Sequence, residues 1–512
     1  MSAHEIVPFV HPVNQQIVVP DPDSNWYIPA GNVLRGLCLF DEANNILYIC
    51  EGKAQDIHVA QFMDRLDRAL TTSFTDVTVS YERIASAYSN QVVTSIDSTE
   101  NQSIVIGIMK DAIKKGASDI HLIDKAGKSI IKYRINGNII TQPLTAQNNR
   151  VKQLIPTIYP SMLDVSETHH KEGEKQDGRI KKEFLSKLGL IGGRVSTTPT
   201  DVGSMMIIRL MKDNSNSDLS LVKLGYASYH LTMLRKIQRK RRGIIIFSGE
   251  TGSGKTTTLE CMMRELVLST GGKKHIFTIE NPPENSIDGV NHTPIQCSNF
   301  DDENEVSAAW SRSISSSLRL DPDVIVVGES RDKASAKAAF RAGMTGHQLY
   351  TTVHANDAIS ILDRLEDEGI KMSLLTNPKL ITGLINQCLV PVLCPKCRVK
   401  LTEHNQNKLE DGLLSRVKEK TQYLSGNIHL IGPGCDECNN SGISGRTVVA
   451  EVIMPSFELL NTFKNEGNAA ARQYWLREEK GQPLSNHLIQ KINAGEVDPD
   501  IAEQYACLLD EE

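Results

Sequence analysis

The segment GETGSGKT, from Gly249 to Thr256, spaces glycine, lysine and hydroxyl side chains in a way that suits a bound phosphate chain. It fits the pattern G-x-x-x-x-G-K-[ST], in which the glycines let backbone N–H groups approach the phosphates. Lys255 would place a positive charge near the β and γ phosphates, and the Thr256 hydroxyl would ligate Mg²⁺. The predicted contacts of ATP are Gly249, Glu250, Thr251, Gly252, Ser253, Gly254, Lys255, Thr256 and Thr257.

Hydrolysis also needs a group that orients water, and carboxylates follow two apolar runs of the sequence. The run DPDVIVVGESRD predicts a buried strand that ends at Gly328, with Glu329 directly after it. A carboxylate at the carboxyl end of a core strand faces the crevice where ligands bind in open α/β sheets, so Glu329 is predicted to position the water. The run TIENPPE adds Glu280 and Glu284, which would either hold Mg²⁺ through water or polarise the nucleophile.

Two histidines flank a short strand pattern in GMTGHQLYTTVHANDA. A single histidine is more often a structural residue, but a pair in this place could also contact the γ-phosphate. The sequence leaves both interpretations open for His347 and His354.

Four of the ten cysteines form two CxxC pairs, CPKC and CDEC, separated by 37 residues (398–434). Each pair offers half of a tetrahedron of thiolates, so Zn²⁺ in a closed structural site is the favoured interpretation. A redox dithiol and an iron–sulfur cluster are the alternatives. The long gap predicts a small lobe of its own, and the candidate ligands are Cys394, Cys397, Cys435 and Cys438.

Composition limits the classes of protein to which the chain can belong. Its 512 residues are 40% hydrophobic and carry a formal net charge of −6, which argues against a protein that coats nucleic acid. The basic run RKIQRKRR at 235–242 is typical of a solvated helix end. No secretory signal and no apolar stretch of about 18 residues is apparent. We therefore expect a cytoplasmic protein, held at any membrane by a partner.

The elements that must position these groups change character along the chain. Helix and strand patterns alternate after the polar segment DNSNSD, which predicts a parallel sheet covered by helices. Earlier segments predict smaller α+β domains, with a hairpin at the NG pair of YRINGN. The predicted regions are an N-terminal α+β domain (1–97), a second α+β domain (98–212), a linker (213–225), the α/β core (226–390), the cysteine lobe (391–442) and a helical C-terminal region (443–512).

Taken in order, four boxes resemble those of the secretion-superfamily ATPases, specifically the branch that serves type II secretion and type IV pilus assembly. They are the phosphate loop, the acidic box IENPPE, the box VIVVGESRD and the histidine box at 346–357. The upstream segments QDGR, RVSTTPTDVG and IIRL resemble the domain that precedes the core in these enzymes. The resemblance covers about 98–512 and implies a PAS-like domain at 98–212 and a RecA-like core with a tetracysteine zinc insertion. For residues 1–97 it suggests docking to a membrane complex.

The resemblance also assigns roles to individual residues. It implies that Glu329 is the catalytic glutamate, that Glu280 and Glu284 form the acidic box, and that His347 and His354 are the histidine-box pair. Arg179, Arg194 and Arg209 match arginines that reach the nucleotide from the preceding domain. Departures from the family pattern occur at Asn136, Ser204, Asn281 and Cys388, which suggests a divergent branch.

The working form implied by the resemblance is a homohexamer that acts on an inner-membrane platform protein. The function expected from it is ATP hydrolysis that drives pilus assembly, with a lean toward a type IVb pilus, or type II secretion. A conjugative or type IV secretion ATPase and a nucleotide-gated binding module with little turnover are the alternatives. Asn281, which leaves one carboxylate fewer in the acidic box, lends some support to the binding module.

Overall fold

The structure is a computed structural model, and no helix among the residues it describes is long and apolar enough to cross a membrane. The chain forms two compact units, one of Met1–Gly107, Gln153–Met162 and Thr168–His170, the other of Ile108–Lys152, Leu163–Glu167 and Lys171–Glu512. The described residues are 34, 37–41, 45–70, 73–80, 84, 95–145, 149–164, 170, 171, 173–212, 219–281, 283, 286–297, 302–328, 333–423 and 426–511.

The first unit contains a three-stranded sheet and a helix that packs its apolar face inward. Strands β1 (Cys38–Asp41) and β2 (Ile46–Cys50) are antiparallel, while β2 and β3 (Thr75–Val79) are parallel. The helix is α1 (Ile57–Ala69). Its N-terminus is capped by Asp56, and its buried residues Val59, Phe62 and Leu66 recur at helical spacing.

The second unit begins with a seven-stranded antiparallel sheet in the order β6-β5-β4-β10-β9-β8-β7. The predicted hairpin is confirmed: Asn136 and Gly137 both have positive φ, which is the geometry that an Asn-Gly turn favours. The elements of this part of the chain are α2 (Ser95–Lys114), β4 (Asp119–Lys125), β5 (Lys128–Ile135), β6 (Asn138–Thr141), α3 (Val151–Met162), β7 (Leu163–Asp164), β8 (Gln176–Ile180), α4 (Lys182–Leu185), β9 (Leu190–Thr200) and β10 (Gly203–Lys212). Of these, α2 up to Gly107 and α3 from Gln153 belong to the first unit.

A second seven-stranded sheet follows, in the order β13-β12-β14-β15-β11-β16-β19, parallel except for its last pair. Its three central strands are buried along their whole length because helices cover both faces. The elements are α5 (Leu221–Leu224), α6 (Ser228–Gln238), β11 (Gly243–Ser248), α7 (Lys255–Thr270), β12 (Ile276–Glu280), β13 (Val290–Pro294), α8 (Glu303–Ser317), β14 (Val324–Val327), α9 (Lys333–Met344), β15 (Gln348–Thr352), α10 (Ser360–Asp367), α11 (Met372–Leu375), β16 (Ile381–Leu393) and β19 (Ile443–Ile453).

Between β16 and β19 the chain forms a small lobe that shares an apolar core with the C-terminal helices. Arg416 of the lobe makes a bidentate ion pair with Glu503, with Nε–Oε1 and Nη2–Oε2 distances of 2.7 and 2.5 Å. The remaining elements are β17 (Val399–Lys400), α12 (Asp411–Lys420), β18 (His429–Leu430), α13 (Phe457–Glu466), α14 (Asn468–Arg477), α15 (Leu484–Asn493) and α16 (Pro499–Tyr505).

Candidate functional site

The phosphate loop connects β11 to α7 at the carboxyl edge of the parallel sheet. Gly249 has a φ of 135°, and a Cβ atom there would lie 2.2 Å from the main-chain oxygen of Gln387, so only glycine fits. Gly252 also has positive φ, but a Cβ atom added to it would meet no other atom within 4 Å. The loop is therefore tightly packed on the side of β16 and open at its tip.

Lys255 is the first residue of α7, and its ammonium group is held by the loop itself. Its Nζ atom donates to the main-chain oxygens of Gly249 at 2.7 Å and Glu250 at 3.0 Å. These bonds keep the positive charge at the loop beside the helix N-terminus, where anions are favoured. A phosphate bound there would meet this charge together with the backbone N–H groups of the helix start.

A buried chain of hydrogen bonds supports the loop from β16. Gln387 donates from Nε2 to the main-chain oxygen of Ser253 at 2.7 Å, and its Oε1 accepts from the Tyr226 hydroxyl at 2.6 Å. The Tyr226 hydroxyl also lies 3.2 Å from the Thr258 hydroxyl. Because these side chains are buried, each bond is expensive to break.

We expect Tyr226→Phe to destabilise the chain by about 1–3 kcal/mol, since it leaves the buried Gln387 amide oxygen without its donor. Nucleotide binding should weaken with it, because Gln387 holds the loop at Ser253. The measurements are chemical unfolding and titration with a fluorescent ADP analogue. Tyr229→Phe is the matched control: its buried hydroxyl has no hydrogen-bond partner among the described residues, so its removal should be neutral or stabilising.

The acidic box and the strand that precedes Glu329 reach the same edge as the phosphate loop. Glu280 is the last residue of β12, and Gly328 follows β14, where its main-chain oxygen accepts from the Thr352 hydroxyl at 2.8 Å. Glu280 and Gly328 line a cavity of about 50 Å³ with Thr256, the predicted magnesium ligand. Glu284 and Glu329 themselves lie outside the described residues.

The two histidines of the histidine box lie at opposite ends of β15, and only one reaches the phosphate loop edge. His354 follows the carboxyl end of the strand and is exposed. His347 precedes the amino end, where its main-chain oxygen accepts from the N–H of Gly243 at the start of β11. The five-residue strand between them spans about 17 Å. The expectation that both could contact a γ-phosphate is therefore not met for His347 within one chain.

The loop after His354 is fixed by buried polar groups. Asn386 donates from Nδ2 to the Ser248 hydroxyl at 2.8 Å and to the main-chain oxygen of Ala355 at 3.1 Å. Glu451 of β19 accepts from the N–H of Ala358 at 2.6 Å, and burial raises the pKa of its carboxyl. Asn386 and Gln387 are neighbours on β16, so this strand supports both the histidine-box loop and the phosphate loop.

The antiparallel sheet places the three predicted arginines side by side. Arg179 is the register partner of Arg194, and Arg194 is the partner of Arg209, so the three lie in one row across β8, β9 and β10. The row continues to Asp119 on β4 and to Asp164 on β7. Like charges directly opposite each other are unfavourable, so such a row favours an anionic neighbour.

The members of this row have different surroundings. Arg209 Nε donates to Asp119 Oδ1 at 2.9 Å, so its charge is paired within the sheet. Arg194 Nη2 donates to the main-chain oxygen of Asn281 at 2.9 Å, which connects the row to the acidic box. Because the acceptor is a backbone atom, the contact does not depend on whether residue 281 is asparagine or aspartate. Arg179 and Arg194 line a cavity of about 240 Å³ with Pro283.

The four cysteines of the CxxC pairs converge on one point, and their ligand atoms all lie within 4.8 Å of one another. The Sγ–Sγ distances are 3.7 Å for Cys394–Cys435 and for Cys435–Cys438, and 3.8 Å for Cys397–Cys438. Tetrahedral thiolates bound at about 2.3 Å to one Zn²⁺ ion are about 3.8 Å apart, so the quartet fits zinc.

The surroundings of Cys438 favour its thiolate form. Burial acts to raise the pKa of this thiol, but the N–H groups of Cys435 and Gly442, together with the neighbouring thiols, lower it to about 6. Both N–H groups lie 3.2 Å from Sγ. Such donors orient and stabilise a metal ligand from outside the coordination sphere.

Sequence reasoning missed several residues that shape this site. Gln387, Asn386 and Tyr226 support the loops, and His292 lies beside Glu280. A signal for two of them was available, because the adjacent amides of GLINQCLV interrupt an otherwise apolar strand and buried amides need partners. Tyr226 and His292 are recognisable only from their contacts in space.

Comparison with known proteins finds relatives that all belong to secretion systems. Residues 95–505 match the model of the family described as type II/IV secretion system protein. The chain is 33% identical over 352 residues to type II secretion system protein E of Dickeya dadantii, covering 69% of this chain and 65% of that protein. It is 32% identical over 377 residues to type II secretion system ATPase E of Vibrio cholerae, covering 73% and 69% respectively. The chain thus spans about two thirds of the length of these relatives.

Solved structures share the fold at lower identity. The pilus retraction motor PilT with bound ADP superposes with a TM-score of 0.51 at 22% identity, covering 78% of this chain and 96% of that one. The Legionella pneumophila ATPase DotB gives 0.53 at 18% identity, covering 78% and 95%. The predicted RecA-like arrangement of the core is thus the fold of these ATPases, and the family resemblance drawn from the sequence is confirmed.

Proposed function

Because the chain belongs to the type II/IV secretion system protein family, we propose that it is an ATPase motor that drives pilus assembly or type II secretion through an inner-membrane platform protein. The observation that supports this most strongly is the convergence at one sheet edge of the phosphate loop, Glu280 and the end of the strand leading to Glu329. Binding, magnesium coordination and water activation all require groups at that edge.

In this proposal each residue at the edge has one task. Backbone N–H groups of the loop and Lys255 bind the phosphates of ATP, and the Thr256 hydroxyl ligates Mg²⁺. When bound, Mg²⁺ neutralises charge on the transferring phosphoryl group. Glu329 orients the attacking water, and His354 faces the γ-phosphate. Glu280 and Glu284 hold Mg²⁺ through water or polarise the nucleophile. His347 lies at the opposite edge and is left out of this site.

The arginine row is proposed to serve the nucleotide of a homohexamer. Arg194 donates to the main-chain oxygen of Asn281 in the acidic box. Arg179 and Arg194 line one cavity together with Pro283 of that box, so both lie close to the nucleotide edge. Bidentate guanidinium groups suit the phosphoryl oxygens on which charge builds during transfer. Arg209 would first have to leave Asp119 in order to reach a nucleotide, which makes it the least direct of the three.

We propose that Cys394, Cys397, Cys435 and Cys438 hold a structural Zn²⁺ ion. Four thiolates close the coordination sphere, so the ion would supply folding energy to the lobe and would not activate water. The proposed place of work is the cytoplasmic face of the inner membrane, reached through a partner.

The test is ATP turnover per chain over a range of protein concentrations, with Lys255→Ala as the blank. We expect a rate that rises with concentration, because oligomerisation completes the sites. Lys255→Ala should lower the rate about 100-fold or more, since it removes a preorganised charge at the phosphates. Lys273→Ala, an exposed lysine beyond the end of α7, is the matched control and should turn over normally. Turnover equal to the blank at every concentration, with nucleotide still bound, would instead indicate a nucleotide-gated binding module.

A further inference from the structure

His292 lies on β13, the edge strand next to β12, and faces the acidic box. Its register partner on β12 is Thr278, and Glu280 follows two residues later on the same face of that strand. His292 Nδ1 lies 3.0 Å from Glu280 Oε1 and 2.9 Å from the Thr278 hydroxyl. The histidine therefore contacts the acidic box from the side away from β14.

The hydrogen bonds of the ring determine its tautomer. The backbone N–H of Ile287 donates to His292 Nε2 at 3.1 Å. A ring nitrogen that accepts a hydrogen bond carries no proton, so Nδ1 is the nitrogen that donates. A bond to a carboxylate is stronger than one to a neutral hydroxyl, so this N–H is directed at Glu280.

The pair is well shielded from water, because the side chains of His292 and Glu280 are each 14% exposed. Both line the cavity that Thr256 and Gly328 also line. The carboxylate of Glu280 is thus fixed at the wall of the space that adjoins the predicted magnesium ligand. A histidine that donates one N–H to a carboxylate and accepts a backbone bond on its other nitrogen has a defined orientation.

We propose that His292 is a positioning residue that holds the Glu280 carboxylate toward the magnesium side of the phosphate loop. The inference rests on the proposed function, since it assigns Glu280 to the magnesium ion of bound ATP. In this proposal His292 acts through Glu280, the carboxylate that its ring contacts. Its loss should weaken the response to Mg²⁺ and leave the affinity for the nucleotide itself unchanged.

Three substitutions separate the two hydrogen bonds of the ring. Asparagine places its amide N–H where Nδ1 lies, so His292→Asn keeps the donor to Glu280 and loses the bond from Ile287. Glutamine places its amide oxygen near the position of Nε2, so His292→Gln keeps the bond from Ile287 and loses the donor to Glu280. His292→Ala removes both bonds. Glu280→Gln removes the carboxylate itself, so in that background a change at His292 can no longer act by positioning it.

Two readouts are needed, one of them independent of turnover. The first is the Mg²⁺ concentration that gives half-maximal binding of a fluorescent, non-hydrolysable ATP analogue, with the Mg²⁺-free affinity measured beside it. The second is kcat at saturating ATP and Mg²⁺. Groups outside the coordination sphere typically change metal affinity or activity by about 10–100-fold. Unfolding midpoints identify any variant that fails to fold.

We expect His292→Ala and His292→Gln to raise the half-maximal Mg²⁺ concentration about tenfold, and His292→Asn to stay near wild type. In the Glu280→Gln background the three variants should give equal values. The inference is overturned if His292→Gln behaves as wild type and His292→Asn as alanine, because the histidine would then only anchor the Ile287 turn. It is also overturned if no variant changes the Mg²⁺ response.

These outcomes are distinct from failure of the proposed function. If the wild-type chain hydrolyses no ATP but the Mg²⁺ response shifts with His292→Ala and not with His292→Asn, the positioning role holds and the motor assignment fails. If turnover is normal and the Mg²⁺ response is unmoved by all three variants, the motor assignment holds and the positioning role fails.

Discussion

Glu329→Gln is expected to lower ATP turnover about 1000-fold while nucleotide affinity stays within a factor of about two, since a positioned base contributes about 10²–10⁴-fold to a rate. Glutamine keeps the shape of the side chain but cannot accept a proton from water. The backbone that leads to this residue is fixed at the nucleotide edge, where Gly328 is held by Thr352. The measurements are steady-state turnover and binding of a fluorescent ATP analogue.

An exposed glutamate outside both acidic segments of the sequence provides the control for this substitution. Glu303 is exposed at the first position of α8, so Glu303→Gln should leave turnover unchanged. If Glu329→Gln turns over ATP at the wild-type rate, Glu329 does not orient the water. Glu280 would then be the first residue to examine, because it lines the cavity beside Thr256, and the other carboxylate there, Glu260, is paired with Arg264.

Removal of zinc is expected to unfold the cysteine lobe. Binding of zinc is coupled to about 10–16 kcal/mol of folding free energy in small zinc domains. Even about a third of that would lower an unfolding midpoint by roughly 10 °C in a domain of 150–250 residues. We expect one zinc ion per chain in the purified protein, and Cys397→Ser should lose it and expose residues 394–442 to limited proteolysis.

Cys297→Ser is the matched control, because Cys297 lies outside the quartet. It should keep the zinc ion and the protease resistance of the lobe. Chelation of the wild-type chain should reproduce the Cys397→Ser result, and added zinc should reverse it. Iron in place of zinc, or disulfides within the CxxC pairs, would contradict the assignment.

Features with local spacing were predictable from the sequence. The phosphate loop, the acidic box and both CxxC pairs each lie within a few residues, so their chemistry could be inferred before any fold was known. The hairpin at Asn136 and Gly137 was equally local, because the positive φ of the turn selects those residues. The alternation of strands and helices likewise predicted the parallel sheet.

Features that depend on strand register were not predictable in the same way. Arg179, Arg194 and Arg209 lie on three strands, and a shift of one residue in any pairing would have separated them onto opposite faces. The contact of His292 with Glu280 depends on the parallel pairing of β12 and β13. The placement of His347 could have been predicted from the sequence, since the two ends of one strand must lie at opposite edges of a sheet.

The long antiparallel pair of β16 and β19 makes the cysteine lobe an exchangeable cassette. The chain leaves the sheet after Leu393 and re-enters at Ile443, and these two residues are register partners. A short turn could join them, so the lobe could be removed or exchanged without changing the strand order of the parallel sheet. The exchange has one condition: α15 and α16 bury Leu488, Ile492 and Ala502 in the core they share with the lobe, so a chain without the cassette must cover or redesign that surface.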